Sequence, residues 1–129
     1  MKFGYTLIFV EDVLQTADFY QKAFGISIRF TSESKLYVEM ETGTTALGFV
    51  SEKFVAESGT SFTKNRTSQP AAGIEIAFVT DNVQAAFDTA VAAGAHPKAA
   101  PTVKPWGQTV ASVTDLNGVL VEFCSPITM

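Results

Sequence analysis

The sequence predicts an α+β protein built from two copies of a βαβββ module. Three observations predict it: a segment of the first half recurs in the second, each recurrence passes from strand-like to helical spacing, and three strand-like segments follow each helix. FVEDVLQTADFYQKAFG (residues 9–25) lies without a gap on FVTDNVQAAFDTAVAAG (78–94), and ETGTTALGFVS (41–51) lies on DLNGVLVEFCS (115–125).

The elements follow in order. Tyr5, Leu7 and Phe9 alternate with Thr6, Ile8 and Val10, a strand pattern buried on both sides. Val13, Ala17, Tyr20 and Phe24 then recur at helical spacing, and Gly25 can take the left-handed conformation that ends a helix. Strand-like segments follow near 27–30, 37–41 and 45–50. In the second half a first strand carries Ile74, Ile76 and Phe78. The helix is marked by Val83, Ala86, Phe87 and Ala90 and closed by Gly94, and strands follow near 98–103, 109–114 and 119–124. Glu41-Thr42-Gly43-Thr44 and Asp115-Leu116-Asn117-Gly118 read as hairpin turns before each last strand.

With 129 residues the chain is expected to form one domain, with module one at about 1–57, a linker at about 58–72 and module two at about 73–129. The linker is rich in Ser and Thr and holds Pro70. It has two readings: a connection long enough to let one half pair with the matching half of another copy, or a helical turn over 52–57 followed by a loop over a pocket.

Composition excludes several functions. Net charge is -4 and no stretch gathers Lys or Arg, so nucleic-acid and anionic-membrane binding are not expected. The N-terminus lacks a signal-peptide pattern and no apolar run approaches the roughly 20 residues that span a bilayer, which points to a cytoplasmic protein. The single cysteine, Cys124, cannot form an internal disulfide and reads as a small buried hydrophobe. No Ser-His-Asp, Cys-His, phosphate-loop or Cys-x-x-Cys arrangement is present. Eleven Phe, three Tyr and one Trp suggest a thick core or the walls of a cavity for an apolar ligand. Tyr5, Leu7, Phe9, Phe49, Ile76 and Phe78 are the candidates for such walls. Trp106, in KPWGQ, is either a stacking platform or the plug of a hairpin end, and His96 is expected in a surface loop.

TLIFVEDVLQTADFYQKAFG, IEIAFVTDNVQAAFDTAVAAGA and KPWGQTVASVTDLNGVLVEFCSP, in this order over nearly the whole chain, resemble the vicinal oxygen chelate superfamily of glyoxalases, bleomycin-resistance proteins and extradiol dioxygenases. The resemblance implies paired βαβββ modules curved into a barrel-like mixed sheet, closed within one chain or across a homodimer. It also implies a divalent metal held by one residue from the first strand and one from the last strand of each module.

Those positions fall on Tyr5 and Gly48 in module one, and on Glu122 with either Ile74 or Glu75 in module two. Glycine has no donor, and a neutral phenol is a poor ligand for such ions. One histidine cannot build the two-His, one-carboxylate iron site of extradiol cleavage. The expectation is therefore a metal-free protein of the bleomycin-resistance kind, sequestering a small apolar or aromatic molecule with Tyr5, Leu7, Phe9, Phe49, Trp106 and Glu122. The alternative is a lyase or isomerase of the glyoxalase type with an unusual metal site at Glu122, Glu75 and Tyr5.

Overall fold

The computed structural model describes residues 1–127. In chain order the elements are β1 (Tyr5–Val10), α1 (Val13–Phe24), β2 (Ile28–Thr31), β3 (Tyr37–Met40), β4 (Ala46–Ser51), α2 (Glu52–Glu57), β5 (Glu75–Val79), α3 (Val83–Ala92), β6 (His96–Val103), β7 (Thr109–Thr114) and β8 (Leu120–Cys124). Rather than one continuous barrel-like sheet, the strands make two four-stranded mixed sheets of the same order, β1-β4-β3-β2 and β5-β8-β7-β6. In each, the first strand runs parallel to the last and the remaining pairs are antiparallel. The chain divides into two compact units, Met1–Lys64 and Asn65–Met129, with the boundary inside the segment read as a linker. Among the described residues no helix is long and apolar enough to cross a membrane.

In the first unit, strand alternation sends Ile8, Val10, Val38, Met40, Leu47 and Phe49 to one face, where all are buried. Helix α1 packs on β3 and β4 with Val13, Ala17, Tyr20 and Ala23 inward. Tyr20 is the centre of this core: its ring lies 4.7 Å from both Phe24 and Phe49. The helix begins at Asp12, whose carboxylate accepts the Gln15 N–H at 2.9 Å, and ends at Gly25 with φ 67°. Residues 52–57 are helical, capped by Ser51, which matches the helical turn expected in one of the two readings. The chain beyond it lays Phe62 edge-on against Phe9, centroids 5.1 Å apart.

In the second unit Val121, Phe123, Ala111 and Val113 form the buried face, and α3 packs on β6, β7 and β8 with Val83 and Ala90 inward. Asp115 closes the turn before β8. Its buried carboxylate accepts the N–H groups of Asn117 (2.8 Å) and Val119 (2.9 Å), and Gly118 completes the turn with φ 88°. β6 begins at His96, which is therefore the exposed first residue of a strand and not part of a loop. This strand lies at one edge of its sheet, contains Pro97 and Pro101, and its pairing with β7 is interrupted twice.

The internal repeat is real but shifted from the gapless match. Asn82, not Asp81, caps α3 by accepting the Ala85 N–H at 3.0 Å, the role that Asp12 fills for α1. The stretch from cap to closing glycine is thus one residue shorter in the second half. A match anchored on Gly25 and Gly94 consequently slips by one at the first strand. With Gly48 set against Glu122, the strand registers make Leu7 the counterpart of Ala77, and hence Tyr5 the counterpart of Glu75.

Candidate functional site

Each sheet has a second face, turned away from its helix, and several of its side chains stay exposed. In the first unit Tyr5, Leu7 and Phe9 stand on this open face. Tyr5 is 60% and Leu7 49% exposed, while Phe9 is partly covered by Phe62. Leu7, Gly48 and Glu39 are neighbours across three strands, and Phe9, Val50 and Tyr37 form the next row.

Gly48 decides the shape of this face. A Cβ at this position would lie 2.6 Å from Cε1 and 2.7 Å from Oη of Tyr37, and 3.0 Å from Cδ2 of Leu7. The Tyr37 ring therefore lies over the glycine and fills the space that a side chain at 48 would need. Its hydroxyl donates to Oε1 of Glu39 at 2.7 Å. Burial first, then this hydrogen bond, hold the phenol well above the usual tyrosine range, so it stays protonated and a donor. Oε2 of Glu39 accepts from Arg29 at 3.2 Å, and Arg29 also binds Glu41 through Nε (2.8 Å) and a second guanidinium nitrogen, and donates to the Gly43 carbonyl at 2.6 Å. The hydrogen bonds from Arg29 hold the Glu41 carboxyl below its ordinary range. This chain of Tyr37, Glu39, Arg29 and Glu41 was not singled out from the sequence, although YVEME alternates strictly and so sends Tyr37, Glu39 and Glu41 to the face opposite Val38 and Met40.

In the second unit the open face carries Glu75, Ala77 and Val79 on β5 and Leu120, Glu122 and Cys124 on β8. Ile74 precedes β5 and is exposed, and it is Glu75 that shares a face with Glu122. Their carboxyl groups are close enough to perturb one another. Desolvation first, then the charge and hydrogen bond of Glu75, push the Glu122 carboxyl up, opposed only by Lys104. Burial, followed by the same two carboxylates, also raises the Cys124 thiol, which is buried as expected.

A carboxyl whose folded pKa lies above its unfolded one binds its proton more tightly when folded. Its contribution to stability is present at low pH and is lost as pH rises from about 4.5 through the raised value. Glu122→Gln removes that loss. Thermal melts across this range should therefore fall less steeply for the variant than for the wild type, and parallel curves would show that the pair carries no such proton.

Two predicted ligand-binding residues are placed differently. Phe49 lies on the helix side of β4, fully buried against Tyr20, because Gly48 takes the open-face position next to it. It belongs to the core. Trp106 sits 65% exposed at the tip of the β6–β7 hairpin, its indole N–H donating to Gln108 at 2.9 Å, while Gln108 in turn donates to the Ser125 carbonyl. This ties the hairpin end to the chain after β8, as the plug reading supposes, and leaves the ring faces open. Tyr5, Leu7 and Phe9 do share a face in the first unit, and Glu122 stands on the open face of the second.

The divalent ion that the resemblance implies does not fit the residues present. In the first unit Gly48 offers no donor, Tyr37 covers its position, and Glu39 and Glu41 are engaged with Arg29. In the second, Glu75 and Glu122 supply two carboxylates and no imidazole. Among the described residues no group of three or more His, Cys, Asp or Glu side chains is arranged to hold a metal.

Comparison with known proteins accords with this architecture. The model of the Glyoxalase/Bleomycin resistance protein/Dioxygenase superfamily matches residues 2–123. A search of curated proteins gives no match. A glyoxalase-related enzyme from Fulvimarina pelagi superposes with a TM-score of 0.83 at 18% identity, over 98% of this chain and 88% of that one. A protein of unknown function from Agrobacterium tumefaciens str. C58 gives 0.79 at 22% identity, over 98% and 94%. A glyoxalase/bleomycin resistance protein/dioxygenase family enzyme from Burkholderia phytofirmans PsJN gives 0.77 at 20% identity, over 99% and 100%. At these identities the solved structures establish the fold alone. With the family model spanning both units and the same strand order in each, the chain belongs to the glyoxalase/bleomycin resistance protein/dioxygenase superfamily.

Proposed function

We propose that this protein binds a small apolar or aromatic molecule without a metal ion, sequestering it as the bleomycin-resistance branch of the superfamily does, and that it works as a cytoplasmic homodimer. One observation carries the reading. On the first unit's open face, Tyr5 and Leu7 stand exposed beside a glycine where a metal-holding relative would carry a donor, and the Tyr37 ring fills that place. Exposed apolar side chains on a sheet face next to a few fixed polar groups are the usual make-up of a small-molecule surface. On the second unit's own open face, Glu122 is in this reading a hydrogen-bond acceptor for a ligand.

Calorimetric titration with a panel of aromatic natural products should give saturable binding, and a blank across the whole panel counts against the proposal. Protein purified without chelators should contain far less than one equivalent of Ni, Zn, Mn or Fe. A near-stoichiometric ion that disappears in Glu122→Ala would replace this reading with that of a metal-dependent lyase or isomerase. Light scattering on the eluting protein should return twice the mass of the chain.

A further inference from the structure

The hydrogen-bonding groups on the first unit's open face restrict the polarity of what can settle there. The one proton of the Tyr37 hydroxyl is directed at Glu39. Arg29 commits Nε and one terminal nitrogen to Glu41, the same terminal nitrogen to the Gly43 carbonyl, and its other terminal nitrogen to Glu39. Of its five N–H bonds, those directed elsewhere are too few to form the two-pronged grip that carboxylates and phosphates receive from a free guanidinium. What remains at the edge formed by Tyr37 and Glu39 is acceptor capacity: the lone pairs of Tyr37 Oη and the second acceptor directions of the Glu39 oxygens. The charges point the same way. Glu39 and Glu41 face one Arg29 and a neutral phenol, so the cluster is net negative. Around it stand Tyr5, Leu7 and Phe30, all exposed, with the Phe30 ring 6.4 Å from that of Tyr37.

We infer that the ligand of this face is a flat apolar molecule that brings hydrogen-bond donors, and preferably a positive charge, to the edge formed by Tyr37 and Glu39. Aromatic walls beside a carboxylate attract cations through both the ring faces and the charge. An anionic molecule of the same shape meets acceptors and a like charge. Glu39 sets this selectivity, since its carboxylate is central to the cluster and its side chain remains 15% exposed.

The inference rests on the proposed binding, and three isosteric probes separate the two: 2-naphthylmethylamine, 2-naphthalenemethanol and 2-naphthoate, each titrated into nitrogen-15-labelled protein. The amine should bind best and the acid worst, with at least about a tenfold gap between them, the size expected of a charge-assisted hydrogen bond. The shifted amides should cluster on β1, β3 and β4. Glu39→Gln keeps an acceptor for Tyr37 and should bring the amine and the acid within about threefold of each other. Glu33→Gln, the same charge change in the β2–β3 turn, should leave the order intact. An acid that binds as well as the amine, a preference unchanged in Glu39→Gln, or shifts confined to other strands overturns the inference while leaving a binding protein in place. Failure of all three probes to bind also overturns the inference, while the panel titration alone decides the proposed binding.

Discussion

Replacing Phe49 by alanine should cost about 3–5 kcal/mol of folding stability, the range for truncating a fully buried aromatic ring. The ring lies between the sheet and α1, 4.7 Å from Tyr20, so its loss leaves a cavity at the point where the helix is anchored. Urea unfolding measures the cost directly. The milder Phe49→Leu should fold and retain ligand affinity, because residue 49 points away from the open face. A cost below about 1 kcal/mol for the alanine variant, or lost binding in a folded leucine variant, would return Phe49 to the binding surface.

Gly118→Ala should cost about 2–4 kcal/mol of folding stability. Two effects combine. The φ of 88° is a conformation that side chains other than glycine's rarely adopt, worth about 1 kcal/mol. The added Cβ would also fall 2.7 Å from the Arg66 carbonyl oxygen and 3.0 Å from its carbon, and backbone cannot step aside as a flexible side chain does. Gly43 is the control: its φ of 94° carries the same conformational strain, but nothing lies within 4 Å of its missing Cβ. Gly43→Ala should therefore cost only about 1 kcal/mol. Equal denaturation midpoints for the two variants would show that the approach of Arg66 contributes nothing.

Much of the architecture was legible because it is written in periodicity. Tyr5 to Val10 alternates, Val13 to Phe24 recurs at helical spacing, and both patterns return in the second half, so element order and most boundaries follow from the pattern. The repeat register was less secure, since matching glycines do not reveal that α3 is shorter than α1, and the cap at Asn82 became visible only through its bond to Ala85. The same slip left Ile74 and Glu75 undecided, and the strand register settles it for Glu75.

The site was legible only in part. Strand parity placed Tyr5, Leu7 and Phe9 together; with Gly48 already at the ligand position of its strand, the same parity puts its neighbour Phe49 on the opposite face, a conflict the sequence reading left standing. The Tyr37, Glu39, Arg29 and Glu41 chain depends on which side chain leans over which neighbour. Arg29 reaches it from β2, next to an irregularity in the β2–β3 pairing that spacing does not encode.

The prolines of β6 bear on how copies of this protein behave when crowded. An outermost strand of eight residues offers a long template for an incoming chain, the usual starting point for sheets that grow from molecule to molecule. Pro97 and Pro101 have no amide hydrogen to offer such a visitor, and the two breaks in the pairing bend the backbone out of the straight line it would have to follow. That flank is thereby blunted against runaway stacking.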